Sequence, residues 1–292
     1  MNLVRLISFI AKHPLNRSHR LAAISRFARW QIASRLLKQP VALPFVNGTF
    51  LVAETGMAGA TGNWYCGLHE VNEMGFVLHM LRENDLFFDV GANIGSYSVL
   101  AAGGVGARVV AVEPDPATFR RLGRNVTYNH LDDQVELHCC GLSSQDGEIR
   151  FTAGLDTMNR VALPDEVIST IVVPVRTLDS LCADRVPKVM KVDVEGHEAF
   201  VLQGGRAVLG NPGLEAVLME TNEAGEQFGI SDDQLMQIMR DHGFTACSYD
   251  AINRVLAPAE KGVLNTIFVR NIAAAQHQCT AAPRYSLINT SI

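Results

Sequence analysis

From residue 85 onward, short apolar runs alternate with helical repeats. The runs at 86–90, 108–113, 135–139, 187–193, 214–220, 245–249 and 265–270 predict strands. Between them, helical patterns over 95–103, 115–129, 197–209 and 231–242 predict helices. Strands that alternate with helices in this way predict an α/β fold, with a mostly parallel sheet covered by helices on both faces. Segments 147–154 and 171–175 read as extra β structure inserted ahead of the strand at 187.

The first 85 residues follow another rhythm. Leu3, Leu6, Ile7 and Ile10 repeat at helical spacing, as do Leu21, Ile24, Phe27, Ala28 and Ile32. Residues 1–38 therefore predict two helices, separated at Pro14. Residues 41–54 predict a β-hairpin turning at Asn47-Gly48, the favoured two-residue turn. The Gly/Ala/Thr-rich stretch 56–63 reads as a loop, and a helix follows over about 70–82. The run Asn-Trp-Tyr-Cys-Gly-Leu-His-Glu at 63–70 is a lid on the core or a ligand contact. The domain plan is an N-terminal extension over 1–55, a main domain over 56–271 and a peripheral tail over 272–292.

Composition sharpens this plan. The 292 residues are 48% apolar, enough for a large core. Residues 1–53 hold eight basic residues (Arg5, Lys12, Arg17, Arg20, Arg26, Arg29, Arg35 and Lys38) and no Asp or Glu. The net charge of −5 therefore leaves −13 on the remainder, which argues against a nucleic-acid partner. The basic helices of 1–38 form a cap on the sheet domain, or lie on an anionic membrane or acidic partner. Six cysteines without a CxxC pair predict free thiols in a reducing compartment. The apolar start is interrupted by Arg5 and is too short to span a bilayer. A cytoplasmic protein with possible peripheral membrane contact is the resulting expectation.

The chemistry concentrates at strand ends. Phe-Phe-Asp-Val-Gly-Ala-Asn-Ile-Gly-Ser at 87–96 is a strand ending in Asp89, then a turn with Gly91, Asn93 and Gly95, then a helix start. Gly91 and Gly95 suit close approach of the backbone to a ligand, and a helix start offers free N–H groups. Glu113 ends the next strand, where an acid can take both hydroxyls of a ribose. Together they read as a nucleoside-binding βαβ unit. In Lys-Val-Met-Lys-Val-Asp-Val-Glu-Gly-His-Glu at 188–198, alternation puts Lys191, Asp193 and Glu195 on one face. Glu220 closes another apolar strand. Four strands thus bring acids to one rim, at the carboxyl ends where open α/β sheets bind ligands.

These stretches, with Val-Glu-Pro-Asp at 112–115 and Met-Glu-Thr-Asn at 219–222, resemble the FkbM family of S-adenosylmethionine-dependent methyltransferases over about residues 60–270. The Asp-Val-Glu-Gly-His-Glu element carries the family-specific part, and Asn93 stands where the wider class has a third glycine. The resemblance implies a Rossmann-like class I fold, a seven-stranded sheet with its last strand antiparallel. It further implies methyl transfer to oxygen on a sugar, in a glycan or glycolipid, or on a polyketide-like metabolite. S-adenosylmethionine is the expected cofactor and S-adenosylhomocysteine the product. The cofactor is assigned to Asp89, Gly91, Asn93, Gly95, Glu113 and Asp193, with Gly141, Leu142 and Ser143 at the adenine end. Catalysis is assigned to His197, Asp193, Glu195 and Glu220. His197 suits a general base by its ordinary pKa, with Asp193 as the alternative. A divalent metal on Asp193, Glu220 and His197 is a variant that is not favoured. A nicotinamide-dependent oxidoreductase and a non-catalytic cofactor-bound scaffold are the competing classes.

Overall fold

The computed structural model describes residues 3–37, 39–152, 159–163, 169–262 and 264–292. Lys38 and Gly154, both part of the readings above, lie outside the described residues. The chain opens with α1 (Leu3–Lys12), a 3₁₀ turn at Pro14–Asn16 and α2 (Arg20–Leu37). The hairpin β1 (Val41–Pro44) and β2 (Phe50–Ala53) follows, with positive φ at both Asn47 and Gly48. Next come α3 (Ala58–Cys66) and α4 (Val71–Met80). The expected loop at 56–63 is therefore corrected to a helix from Ala58 onward, with only the first two residues outside it. Glycine and threonine make it a weak helix former. It holds because Ala60, Tyr65 and Cys66 are buried in the core.

The alternating part contains β3 (Leu86–Val90), α5 (Ser96–Val99) running into a π-helical turn at Leu100–Val105, β4 (Arg108–Val112), α6 (Pro116–Tyr128) and β5 (Val135–His138). A small second sheet is made of β6 (Gly141–Leu142), β7 (Gly147–Thr152) and β8 (Thr170–Arg176), the inserted β structure anticipated above. After α7 (Leu178–Cys182) come β9 (Val189–Val192), α8 (Glu198–Gln203), α9 (Arg206–Gly210) and β10 (Ala216–Glu220). Gly204-Gly205 divides the helix expected at 197–209. The chain ends with α10 (Asp232–Asp241), β11 (Thr245–Asp250), β12 (Val255–Pro258), β13 (Asn265–Val269) and α11 (Ile272–Thr280).

The main sheet runs β12-β11-β13-β10-β9-β3-β4-β5. Strands β5, β4, β3, β9 and β10 are parallel, and β13 is antiparallel to β10. All seven expected strands are present, and β12 adds an eighth at the edge. The central strands are nearly continuous apolar runs because helices cover both faces. Alternation sends Phe87, Val109, Val189 and Leu218 to one apolar cluster, and Phe88, Val110, Met190 and Val217 to the other.

The first cluster also takes Ile10, Phe27 and Trp30 from the N-terminal helices, and Cys279, Tyr285 and Ile292 from the C-terminal segment. That segment was expected to be peripheral. Instead Asn271 caps α11, accepting the Ala274 N–H at 3.0 Å, and the helix packs on α4 and β12. All six cysteines are free.

Arg26 does not face water with the other basic residues. It is buried, with Nε donating to Trp64 O at 2.8 Å and Nη2 to Tyr65 O at 2.8 Å. It ties α2 to α3, and burial lowers its pKa. Arg26→Ala removes these donors and is expected to destabilise the protein by ~2–3 kcal/mol. Urea unfolding that shows less than half of this would mean that the N-terminal helices are held by apolar packing alone.

Candidate active site

A cavity of about 340 Å³ opens at the carboxyl ends of β3, β4, β9 and β10. From β3 the parallel strands run through β4 and β5 on one side and through β9 and β10 on the other. The cavity thus lies at the topological switch point, where doubly wound sheets take their ligands. Its size falls in the ~300–1,000 Å³ range of small-molecule sites.

The turn after β3 forms one wall. Gly91, Asn93 and Gly95 all have positive φ, at 76°, 52° and 88°. The N–H groups of Gly91 and Ala92 both donate to Val112 O, and that of Asn93 donates to Glu113 Oε2 at 2.9 Å. The glycines were expected to admit a ligand. The structure gives another reason for them. A Cβ at Gly91 would stand 1.8 Å from Asp193 O, and one at Gly95 would stand 2.5 Å from Leu122 Cδ1. Both glycines serve packing within the protein. Gly91 and Asn93 line the cavity, whereas Gly95 starts α5 behind them.

Glu113 lines the cavity and is almost fully buried. Its Oε1 accepts the Asp115 N–H at 2.9 Å. Burial pushes its pKa up to about 7, against the two backbone donors that lower it. Asp89 lies beneath the cavity rather than on its wall. It is buried and accepts Ser98 Oγ–H at 2.6 Å, and burial raises its pKa. Gly141 and Leu142 line the far end; Ser143 sits behind, with Oγ 3.1 Å from His197 Nε2.

The loop after β9 brings in Asp193, Glu195 and His197. Lys191 is buried beside Asp89 across the β3–β9 ladder and donates to Asp193 Oδ2 at 2.7 Å. Burial opposes its charge, but Asp193, Asp89 and Glu70 outweigh this and raise its pKa. Glu195 has a φ of 53° and precedes Gly196 at 99°. This tight loop is held by Glu198, whose Oε1 accepts the N–H groups of Val194 and Gly196 at 3.0 and 3.3 Å. Burial, then the charges of Asp193 and Glu198, push the Glu195 pKa up to about 7. Glu220 faces them from β10. Asn222 Nδ2 donates to its Oε1 at 2.7 Å, its Oε2 is buried without a hydrogen bond, and burial with the neighbouring acids raises its pKa.

Asp193, Glu195 and Glu220 each bring a carboxylate oxygen within 4.8 Å of the others, a grouping able to hold a cation. His197 is outside this trio. Its ring stacks on Phe200 at 4.4 Å, and burial lowers its pKa to about 4.

Residues before the sheet complete the cavity: Gly59 and Asn63 from α3, then His69, Glu70 and Met74. Glu70 accepts Tyr97 OH at 2.7 Å and Asn265 Nδ2 at 3.2 Å. The 63–70 run puts Tyr65, Cys66 and Leu68 in the core and Asn63, His69 and Glu70 along the cavity.

A doubly wound sheet ending in an antiparallel strand, with acids at the switch point, defines a class I methyltransferase fold. Residues 89–246, more than half of the chain, match the methyltransferase FkbM domain, and the chain belongs to that family. It is 35% identical to the hexuronic acid methyltransferase AglP of Haloferax volcanii, across 44% of this chain and 53% of that protein. It is 29% identical to the 31-O-demethyl-FK506 methyltransferase FkbM of Streptomyces tacrolimicus, across 56% of this chain and 74% of that one. The match with AglP therefore spans about half of that relative's length. Among solved structures, a TehB-like SAM-dependent methyltransferase from Corynebacterium glutamicum is a distant likeness. It has 11% identity and a TM-score of 0.41, over 72% of this chain and 94% of that one.

Proposed function

We propose that this protein is an S-adenosylmethionine-dependent O-methyltransferase whose acceptor is a sugar hydroxyl in a glycan or glycolipid. The observation that carries the cofactor reading is Glu113 on the cavity wall, bonded to the Asn93 N–H in a left-handed turn at the switch point. The sugar reading draws on the identity with AglP. A second reading, a hydroxyl of a polyketide-like metabolite, draws on the 29% match to the 31-O-demethyl-FK506 methyltransferase.

The residues suit the cofactor's chemistry. Glu70, Glu113, Asp193, Glu195 and Glu220 line the cavity together with Lys191, an acidic balance that favours a cation. S-adenosylmethionine supplies a methyl already activated by its sulfonium charge. Glu113, Asn93 and Gly91 hold its nucleoside, with Gly141 and Leu142 at the adenine end. Lys191 fixes Asp193 by their 2.7 Å bond, and Asp193 orients the acceptor hydroxyl. Glu195, on the cavity wall beside Asp193 and Glu220, takes the hydroxyl proton, and burial with those acids raises its pKa to about 7, suited to a base in neutral solution. His197 stays neutral, a wall positioned by Ser143 and Phe200.

Calorimetry with S-adenosylhomocysteine tests the cofactor assignment. Wild-type protein is expected to bind it, and Glu113→Ala to lose ~1.5–3 kcal/mol of affinity. Unchanged affinity in a folded Glu113→Ala protein would remove Glu113 from the site. Thermal stabilisation by NAD and not by S-adenosylhomocysteine would replace methyl transfer with hydride chemistry.

A further inference from the structure

We propose that the outer face of the N-terminal helix pair docks onto an anionic lipid bilayer. Helix α2 is apolar on two opposite sides. Ala23, Phe27 and Trp30 turn into the core. Leu21, Ala28, Ile32 and Leu36 recur at spacings of seven, four and four, which at ~100° per residue is one stripe on the other side. Leu21 is 86% exposed, Ile32 62% and Leu36 77%. Leu3 and Phe9 of α1 are exposed as well. A folded protein seldom leaves such a stripe in water unless it meets something.

Charge identifies what it meets. Arg29 and Arg35 flank the stripe, and both are exposed. Arg5, Lys12, Arg17 and Arg20 are also exposed, and no acid occurs before Glu54. The remainder of the chain carries the acidic excess. An anionic surface therefore attracts this face and repels the rest, which sets the orientation of approach. Aliphatic side chains bordered by arginines fit the interfacial zone of a bilayer, where the long basic stems lie along the apolar layer. Protein interfaces favour aromatic anchors instead, and none lies in the α2 stripe. The mode is attachment and not insertion, since no helix among the described residues is long and apolar enough to cross a membrane. Through Arg26 the same helix holds α3, which lines the cavity. Docking thus places one wall of the site a helix away from the lipid.

Flotation of the full chain tests this, using phosphatidylcholine vesicles with and without phosphatidylglycerol. Binding is expected on the anionic vesicles at low salt, and ~10-fold less on neutral vesicles or at high salt. The double variant Ile32→Asp, Leu36→Asp is expected to bind anionic vesicles at least ~10-fold more weakly. Its melting temperature should not change, since both side chains are exposed. No flotation of the full chain overturns the proposal, as does equal flotation of the double variant. A stable dimer in light scattering that the double variant dissolves would assign the stripe to a second copy of the chain and also overturn it.

Discussion

Replacing Glu195 by Gln is expected to lower turnover by ~10²–10⁴-fold while leaving S-adenosylhomocysteine binding nearly intact. The amide keeps the shape of the carboxylate and cannot take a proton. The pH profile gives a second signature. Burial and the neighbouring acids hold the Glu195 pKa at about 7. The base form therefore fills only as pH rises through that value, and wild-type activity should climb there. The variant should lose this limb. A stability measurement checks the same shift without an acceptor. The folded-state pKa lies above the ordinary carboxylate value of 4.5, so the folded protein holds a proton that the unfolded chain has released. Stability from this group is present at low pH and is lost as pH rises from about 4.5 through about 7. Glu195→Gln should thus melt higher than wild type at pH 8 and close to it at pH 5. If Glu195→Gln keeps its turnover and His197→Ala loses it, the base is His197.

Gly91→Ala is expected to be the most damaging small substitution in the cavity wall. Two costs combine. The φ of 76° strains any residue with a Cβ, and that Cβ would stand 1.8 Å from Asp193 O. The carbonyl lies one residue beyond β9, so relief requires the β3 turn and the loop after β9 to part. The expected loss is at least ~3 kcal/mol in urea unfolding. Gly48→Ala is the control. Its φ is 82°, yet nothing lies within 4 Å of the added Cβ. Only the backbone cost of ~1–2 kcal/mol applies there. Equal losses in the two variants would show that the contact between the β3 turn and the β9 loop relaxes freely.

Much of this site was readable from the chain because its acids follow strands directly. A residue just beyond a parallel apolar strand lies at the carboxyl rim whatever the rest of the fold does. Glu113, Asp193 and Glu195 follow β4 and β9 by this rule, and Glu220 is the last residue of β10. The same rule failed for Asp89, which is still inside β3; its side chain follows the pleat downward to Ser98 and Lys191. His197 has a suitable ordinary pKa and Phe200 is close by in sequence, but the second ring against it, Phe228, comes from a segment beyond β10. Glu198 is the first residue of α8. Its role in clamping the 194–196 loop depends on backbone directions that no spacing encodes.

Elements whose signals are local could be read from neighbouring residues. The seven strands, the hairpin at Asn47-Gly48, the break at Pro14 and the acidic rim all follow from periodicity and turn chemistry within a few residues. Other features depend on partners far apart in the chain. Glu70 meets Asn265 from 195 residues away, and Arg26 reaches the Trp64 and Tyr65 carbonyls from 38 and 39. The helix at Ala58–Cys66 forms against its own weak propensity because the core receives its side chains. Burial likewise set Glu195 near 7 and His197 near 4, reversing the order in which their ordinary values would suit them as bases. Desolvation and long-range contact are properties of the folded surroundings, and a residue's neighbours in sequence do not supply them.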